Sequence, residues 1–307
     1  MMTTQAKPFL KWAGGKSQLI EQFRKHYPTE LKSGLIKNYY EPFLGGGAVF
    51  FDIINHYPVE KFYLSDINKE LILVYKVVQK KVDKLLKLLE NHQKAYLQLD
   101  EMDRKAYFYD IRNEYNQNRS HFNDNNRLSE KAICRVAQMI FLNKTCFNGL
   151  FRLNKSGAFN VPFGDYKNPK IVDDSNLNQV SKRLEQVNLK IADFTQLEHT
   201  VTAAKKSFIY FDPPYRPLSQ TAGFTAYSQN SFNDKTQIQL AQTFKFLNAK
   251  GVKLMLSNSN PKNVDKQDNF FETQYADFLM QTVSAHRMIN SVGTKRGKIT
   301  ELLITNY

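Results

Sequence analysis

The sequence predicts a doubly wound α/β sheet with an antiparallel edge hairpin, interrupted by a mostly helical insert. Three observations carry that expectation. Short apolar runs rich in aromatic and β-branched residues alternate with helical patterns at the start of the chain. That alternation stops near residue 73 and resumes near residue 188. Two of the strand-like runs end in an acid, Asp66 and Asp212, and open α/β sheets place their ligands at the carboxyl ends of strands.

Taken in order, Tyr39-Tyr40-Glu41 ends a short strand, and Ala48 to His56 reads as a helix stopped before Pro58. Lys61 to Ser65 is a second strand, ending at Asp66. Asn68 caps a long helical stretch in which Leu71, Val74, Val78, Leu85, Leu88 and Leu89 recur at helical spacing. Residues 73–187 then read as helices and polar loops. Strands are expected again at Leu189 to Ala192, Ser207 to Phe211, Val252 to Leu256, Phe270 to Tyr275 and Ile299 to Tyr307, with a helix between Asp234 and Ala249. The last two strands, joined by the basic loop around Lys295 and Arg296, predict the edge hairpin. Residues 1–72 and 188–307 therefore form one expected domain, and 73–187 a second, inserted where variation leaves the sheet intact.

Bulk properties narrow the partners. A chain of 307 residues with 42% hydrophobic content can bury a substantial core. No apolar run approaches the roughly 18 residues of a membrane span, and the first eight residues lack the apolar core of a secretory signal. Two cysteines, Cys134 and Cys146, make no disulfide framework or zinc spacing, which points to reducing cytoplasm and to no metal. Net charge is +14, favouring a polyanion, and nucleic acid is the first candidate. A membrane surface is the rival, but no basic amphipathic helix with an aromatic and leucine face is evident.

Asp212-Pro213-Pro214-Tyr215 is the most informative stretch. Two prolines stiffen the backbone and remove two N–H donors, leaving carbonyl oxygens as acceptors. A carboxylate, a bare carbonyl and an aromatic face suit a planar group with an exocyclic amine, such as adenine. The bland alternative is a rigid proline turn capping a strand.

Glu41-Pro42-Phe43-Leu44-Gly45-Gly46-Gly47-Ala48 lies between a strand and a helix, where glycines permit a tight turn and close ligand approach. Asp66 follows at a distance suited to a ribose hydroxyl. A dinucleotide fingerprint starting at Gly45 would need glycine where Phe50 stands, and a Walker A motif ending at Lys16-Ser17 would need glycine where Leu10 stands. Adenosine without phosphates fits better, and S-adenosylmethionine is such a ligand. Its sulfonium and amino-acid part would lie over the glycine turn beside Trp12 and Lys16. Taken singly, Trp12 could be a core indole and Lys16 a surface charge.

With these residues in view, the chain resembles the Dam-type DNA N6-adenine methyltransferases. The matching stretches are Lys11 to Lys16, Glu41 to Ala48, Ser65 to Asn68, Phe147 to Tyr166, Asp212 to Tyr215 and Arg296 to Tyr307, in the family order across nearly the whole chain. The resemblance implies a Rossmann-like methyltransferase sheet with a target-recognition insert, and S-adenosylmethionine as cofactor. It implies that Trp12, Lys16, Phe43, Gly45, Gly47, Asp66 and Asp212 line the cofactor pocket. Asp193 and Phe194 resemble the element that holds the cofactor adenine. Asp212, Pro213 and Tyr215 would carry the chemistry by direct methyl displacement at N6 of an adenine flipped out of duplex DNA. Cytosine C5 chemistry needs a nucleophilic cysteine, usually after proline, whereas Cys134 follows Ile133 and Cys146 follows Thr145.

Asn143 to Arg152, continuing through Asn154, Lys155 and Phe159 to Gly164, mixes Arg, Asn and aromatics in a glycine-punctuated loop. Arg pairs with guanine and Asn with adenine in direct readout, and Phe147 is suited to wedge into the gap left by a flipped base. The expected DNA-contacting set is Asn143, Phe147, Asn148, Arg152, Asn154, Lys155, Lys295 and Arg296. The resemblance makes Arg152 the reader of a guanine in GATC. Asp165 stands where many GATC-specific relatives have a basic residue, which leaves a longer site containing GAT open. RNA or a protein amide is the alternative substrate. The enzyme either works alone or serves a restriction–modification system beside a separate cognate endonuclease.

Overall fold

The computed structural model describes residues 5–118, 128–201, 203–216, 232–286 and 298–307. Seven strands form one sheet: β1 (Asn38–Glu41), β2 (Lys61–Asp66), β3 (Val187–Ile191), β4 (Ser207–Phe211), β5 (Lys253–Ser259), β6 (Leu279–His286) and β7 (Lys298–Thr305). Their order is β3-β2-β1-β4-β5-β7-β6. β1 pairs in parallel with β2 and β4, and β4 with β5. β7 inserts antiparallel between β5 and β6. The direction of strand addition reverses between β1 and β4, so the ligand position of an open sheet lies beyond Glu41 and Phe211.

The helices are α1 (Ile20–His26), α2 (Thr29–Lys32), α3 (Ala48–His56), α4 (Lys69–Gln98), α5 (Glu101–Gln117), α6 (Glu130–Thr145), α7 (Asp174–Leu184), α8 (Leu197–Thr200), α9 (Asp234–Ala249) and α10 (Phe270–Gln274). The chain divides into two compact units. One comprises Met1–Gly15, Gly45–Phe51 and Asn68–Leu189; the other comprises Lys16–Leu44, Asp52–Ile67 and Lys190–Tyr307.

In the sheet-bearing unit, β4 is buried at every position, as a central strand covered on both faces must be. One face carries Ile209, Phe211, Phe244, Leu254, Leu256 and Ile304 in a continuous apolar cluster. Elsewhere Phe23 packs at 5.9 Å from Tyr210, and Tyr39 at 5.8 Å from Phe208. Such burial is the main favourable term in holding an aromatic-rich sheet together.

In the helical unit, Asn68 caps α4 by accepting from the Glu70 and Leu71 amides at 3.1 and 3.2 Å. Arg135 of α6 is buried, and Glu70 accepts from its Nε at 2.9 Å. Its Nη1 donates to the Tyr115 carbonyl at 2.7 Å and its guanidinium lies 4.0 Å from the Tyr115 ring. A buried cation is tolerable only with such complete partnering.

One expectation is corrected. Phe270 to Tyr275 is not a strand: residues Phe270–Gln274 form α10, and the edge strand is Leu279–His286. Adjacent aromatics suggest a strand, but Asp268 accepts from the Phe270 amide at 3.0 Å and the Thr273 amide reaches the Asn269 carbonyl at 2.9 Å, which starts a helical turn. Phe271 is then buried in the apolar cluster. The basic loop of the hairpin, with Lys295 and Arg296, lies outside the described residues.

Candidate active site

The end of β4 places Asp212 beside two side chains distant in sequence. Lys16 Nζ lies 2.8 Å from Asp212 Oδ1, and the same ammonium sits 4.6 Å from the centre of the Tyr215 ring. Lys16 is only 3% exposed, and a side chain so buried needs partners of this kind for its ammonium. Ser257 of β5 donates to Asp212 Oδ1 at 3.2 Å, and Tyr210 is 2.7 Å from the Ser257 hydroxyl. The Tyr215 hydroxyl donates to the Glu301 carboxylate of β7.

Burial pushes the Asp212 carboxyl above the usual range, while Lys16 and the Ser257 hydroxyl pull it back. Burial likewise raises Glu301, against the pull of Lys16 and the Tyr215 hydroxyl. Tyr215 is held neutral, first by burial and then by the negative charges of Asp212 and Glu301. The geometry is therefore one ammonium, two carboxylates and a neutral phenol around a strand end.

The backbone after Asp212 is clamped. Gln237 of α9 is 1% exposed and donates to the Pro214 carbonyl at 3.1 Å. Asn258, fully buried on β5, donates to Gln237 Oε1 at 3.2 Å. Arg216 is gripped by Asp234 at 2.8 Å and by Asp268, with its guanidinium 4.3 Å from the Phe270 ring. Sequence reasoning missed Ser257, Asn258, Gln237 and Glu301. The available signal was Ser257-Asn258-Ser259, a polar run at the end of an otherwise apolar buried strand.

On the same unit, Asp66 ends β2 and its carbonyl accepts from the Ala192 amide at 3.2 Å. Ile67, directly after it, is 49% exposed, a further residue that sequence reasoning did not single out. Phe43 packs 5.5 Å from Phe194 and 5.7 Å from Phe232. Phe194 is buried in the apolar cluster, and Asp193 is exposed, its carboxylate accepting from the Thr195 amide and hydroxyl.

On the helical unit, Gly45 and Gly47 have φ of +48° and +68°, the left-handed region that favours glycine. A Cβ on Gly45 would stand 3.0 Å from Trp12 Cδ1. The Trp12 indole stacks on Phe151 at 5.6 Å, and Tyr75 donates to the Gly45 carbonyl at 3.2 Å. The turn thus presents backbone rather than side chain on its Trp12 side.

The expected DNA-contacting residues divide by exposure. Phe147 is 50% exposed, and Asn148 adopts φ +55° with its amide donating to the Tyr166 hydroxyl. Arg152, Asn154 and Lys155 lie on a short hairpin closed by the Asn154 amide to the Ala158 carbonyl and the Asn160 amide to the Arg152 carbonyl. Arg152 Nε donates to Asn160 Oδ1 at 2.8 Å, which holds the guanidinium over the hairpin. Asn143 is placed differently from the expectation. It is buried, and its amide bonds the Lys11 amide and carbonyl and the Gly149 carbonyl at 2.8–2.9 Å, leaving it a brace rather than a surface contact.

A seven-stranded sheet of this order, with an acid at the end of β4, is the arrangement of the α/β methyltransferases. A family model described as D12 class N6 adenine-specific DNA methyltransferase matches residues 12–289. The chain is 49% identical over 304 residues to the type II methyltransferase M.MjaIII of Methanocaldococcus jannaschii, covering 99% of this chain and 100% of the relative. It is 33% identical to a DNA adenine methylase of Vibrio cholerae (97% and 95% covered) and 30% identical to that of Escherichia coli (97% and 94% covered). This protein belongs to the D12 class of N6 adenine-specific DNA methyltransferases. No helix among the described residues is long and apolar enough to cross a membrane.

Proposed function

We propose that the enzyme transfers a methyl group from S-adenosylmethionine to N6 of an adenine flipped out of duplex DNA, within GATC. The observation that carries this reading is the Asp212 carboxylate at the end of β4, held against Lys16, whose ammonium also lies 4.6 Å from the centre of the Tyr215 ring. The residues suit such a donor. Gly45 offers backbone where a side chain would strike Trp12, Gly47 turns the chain at φ +68°, Asp66 offers a strand-end acceptor for hydroxyls, and Ile67 an exposed apolar face. Trp12, Lys16, Phe43, Gly45, Gly47, Asp66, Asp193, Phe194 and Asp212 are the assigned cofactor residues.

S-adenosylmethionine, when bound, supplies a methyl already activated by its sulfonium. The protein's task is then positioning. Asp212 and the Pro213 carbonyl accept the two N6 hydrogens and draw the amine lone pair out of conjugation with the ring. The same acceptors stabilise the positive charge that grows on N6 as the new N–C bond forms. The methylated nitrogen is acidic and sheds its proton to water, so no strong base is required. Tyr215 stacks on the target ring.

Residues 1–72 and 188–307 are assigned to catalysis and 73–187 to target recognition. Arg152 reads a guanine through its guanidinium edge, Asn148, Asn154 and Lys155 contact the DNA around it, and Phe147 fills the space the flipped base leaves. Lys295 and Arg296 add phosphate contacts. Asp165, exposed and with φ +50°, favours a second reading in which the site is a longer sequence containing GAT.

Calorimetry with S-adenosylmethionine tests the cofactor assignment. Wild-type protein is expected to bind, and Asp66→Ala to bind roughly 10- to 100-fold more weakly, the worth of a hydrogen bond to a charged group. Equal affinity in the two proteins would remove Asp66 from the site.

A further inference from the structure

We infer that Glu301 is a positioning residue for the methyl transfer, fixing the Tyr215 ring through its hydroxyl. This inference rests on the proposed stacking of Tyr215 on the target adenine. Glu301 lies on β7 between two partner strands, opposite Ser259 on β5 and Val283 on β6. The three residues after it, Leu302, Leu303 and Ile304, are buried apolar side chains, while Thr300 before it is only partly buried. An ionisable group at 9% exposure is costly without a specific partner. The partner is the Tyr215 hydroxyl, which donates to Glu301 Oε2.

The consequence for the site is geometric. Tyr215 follows two prolines on a loop, and a phenol ring there is free to turn about its side-chain bonds unless its far end is held. Three elements hold it: the Pro214 carbonyl is tied to Gln237, Lys16 lies 4.6 Å from the ring centre, and Glu301 takes the hydroxyl. Glu301 is anchored on an interior strand, so it defines the ring's tilt from outside the loop. Its side-chain contact is with the Tyr215 hydroxyl, and its effect passes through Tyr215. Glu301 also lies within electrostatic reach of Lys16, although burial pushes its carboxyl above the usual range.

The test uses full-length protein, a duplex carrying the target site, and S-adenosylmethionine. Glu301→Ala and Tyr215→Phe are each expected to lower kcat by roughly one to two orders of magnitude, the scale of small misplacements of a reacting group. Their double variant is expected to be no slower than the worse single one. Glu301→Gln, whose amide oxygen still accepts from the hydroxyl, is expected to recover most of the loss. A duplex with 2-aminopurine at the target position reads the stacking directly: its fluorescence in complex with Glu301→Ala should exceed that with wild type. Additive losses in the double variant, or unchanged kcat and fluorescence in a folded Glu301→Ala protein, would overturn the inference. A wild-type enzyme that transfers no methyl to the duplex would instead overturn the proposed function on which it rests.

Discussion

Lys16 Nζ stands 2.8 Å from Asp212 Oδ1, and the Lys16 side chain is almost wholly withdrawn from water. Each charge is the condition for the other. Without the ammonium, the carboxylate at the end of β4 would be left in a place where burial already favours its protonated form.

Replacing Lys16 by Met should therefore move Asp212 further up. If the ionised carboxylate is the acceptor for the amine, the acid limb of kcat/KM shifts to higher pH. The linkage has a definite sign. A carboxyl whose folded value exceeds its unfolded one stabilises the fold below the unfolded value and loses that contribution as pH rises through the folded value. Lys16→Met should be destabilised by about 3 kcal/mol at pH 8, the effect of stranding a buried charge, and should regain stability as pH falls. Thermal melting between pH 5 and pH 8 reads this directly, and a pH-independent loss would contradict it.

Gly45→Ala tests the turn after β1. At φ +48° an alanine is strained by about 1–2 kcal/mol, and its Cβ would press on Trp12 at 3.0 Å. Lower stability by that amount, together with weaker S-adenosylmethionine binding, is expected from denaturation and titration. Unchanged affinity would separate the turn from the cofactor site.

Arg152 and Lys155 should fail in different ways. Arg152→Ala is expected to cost about 1–3 kcal/mol on the cognate site and to relax discrimination at one base pair. Lys155→Ala should weaken all duplexes alike and reduce the salt dependence of binding by about one counterion. Binding to cognate and single-substituted duplexes at several salt concentrations distinguishes the two. Asn160→Ala, which frees the Arg152 Nε, should resemble Arg152→Ala in milder form.

Much of the fold was legible because its signals are local. Ala48–His56, Ser207–Phe211 and Asp234–Ala249 follow from apolar spacing and caps, and the structure has them with those bounds. Phe270-Phe271 misled because aromatic content resembles a strand, while the helix start depends on Asp268 and Asn269 just outside the run. Asp212 and Lys16 were singled out by motif, but their approach to one another is a product of tertiary folding that spacing does not encode. Glu301 was harder still. In a strand of Leu, Ile and Thr it reads as an ordinary polar position, and only the Tyr215 hydroxyl reveals otherwise. Asn143 looked like a base reader by its residue type, and burial against Lys11 and Gly149 gives it a bracing role instead.

The most direct measurement is modification mapping of DNA from a methylation-free host expressing this protein, beside an Asp212→Ala control. N6-methyladenine at a single short motif containing GAT, absent in the control, is the expected result, with GATC supporting Arg152 as guanine reader. No modified adenine from a folded wild-type protein, or modification that survives the loss of Asp212, would contradict the account.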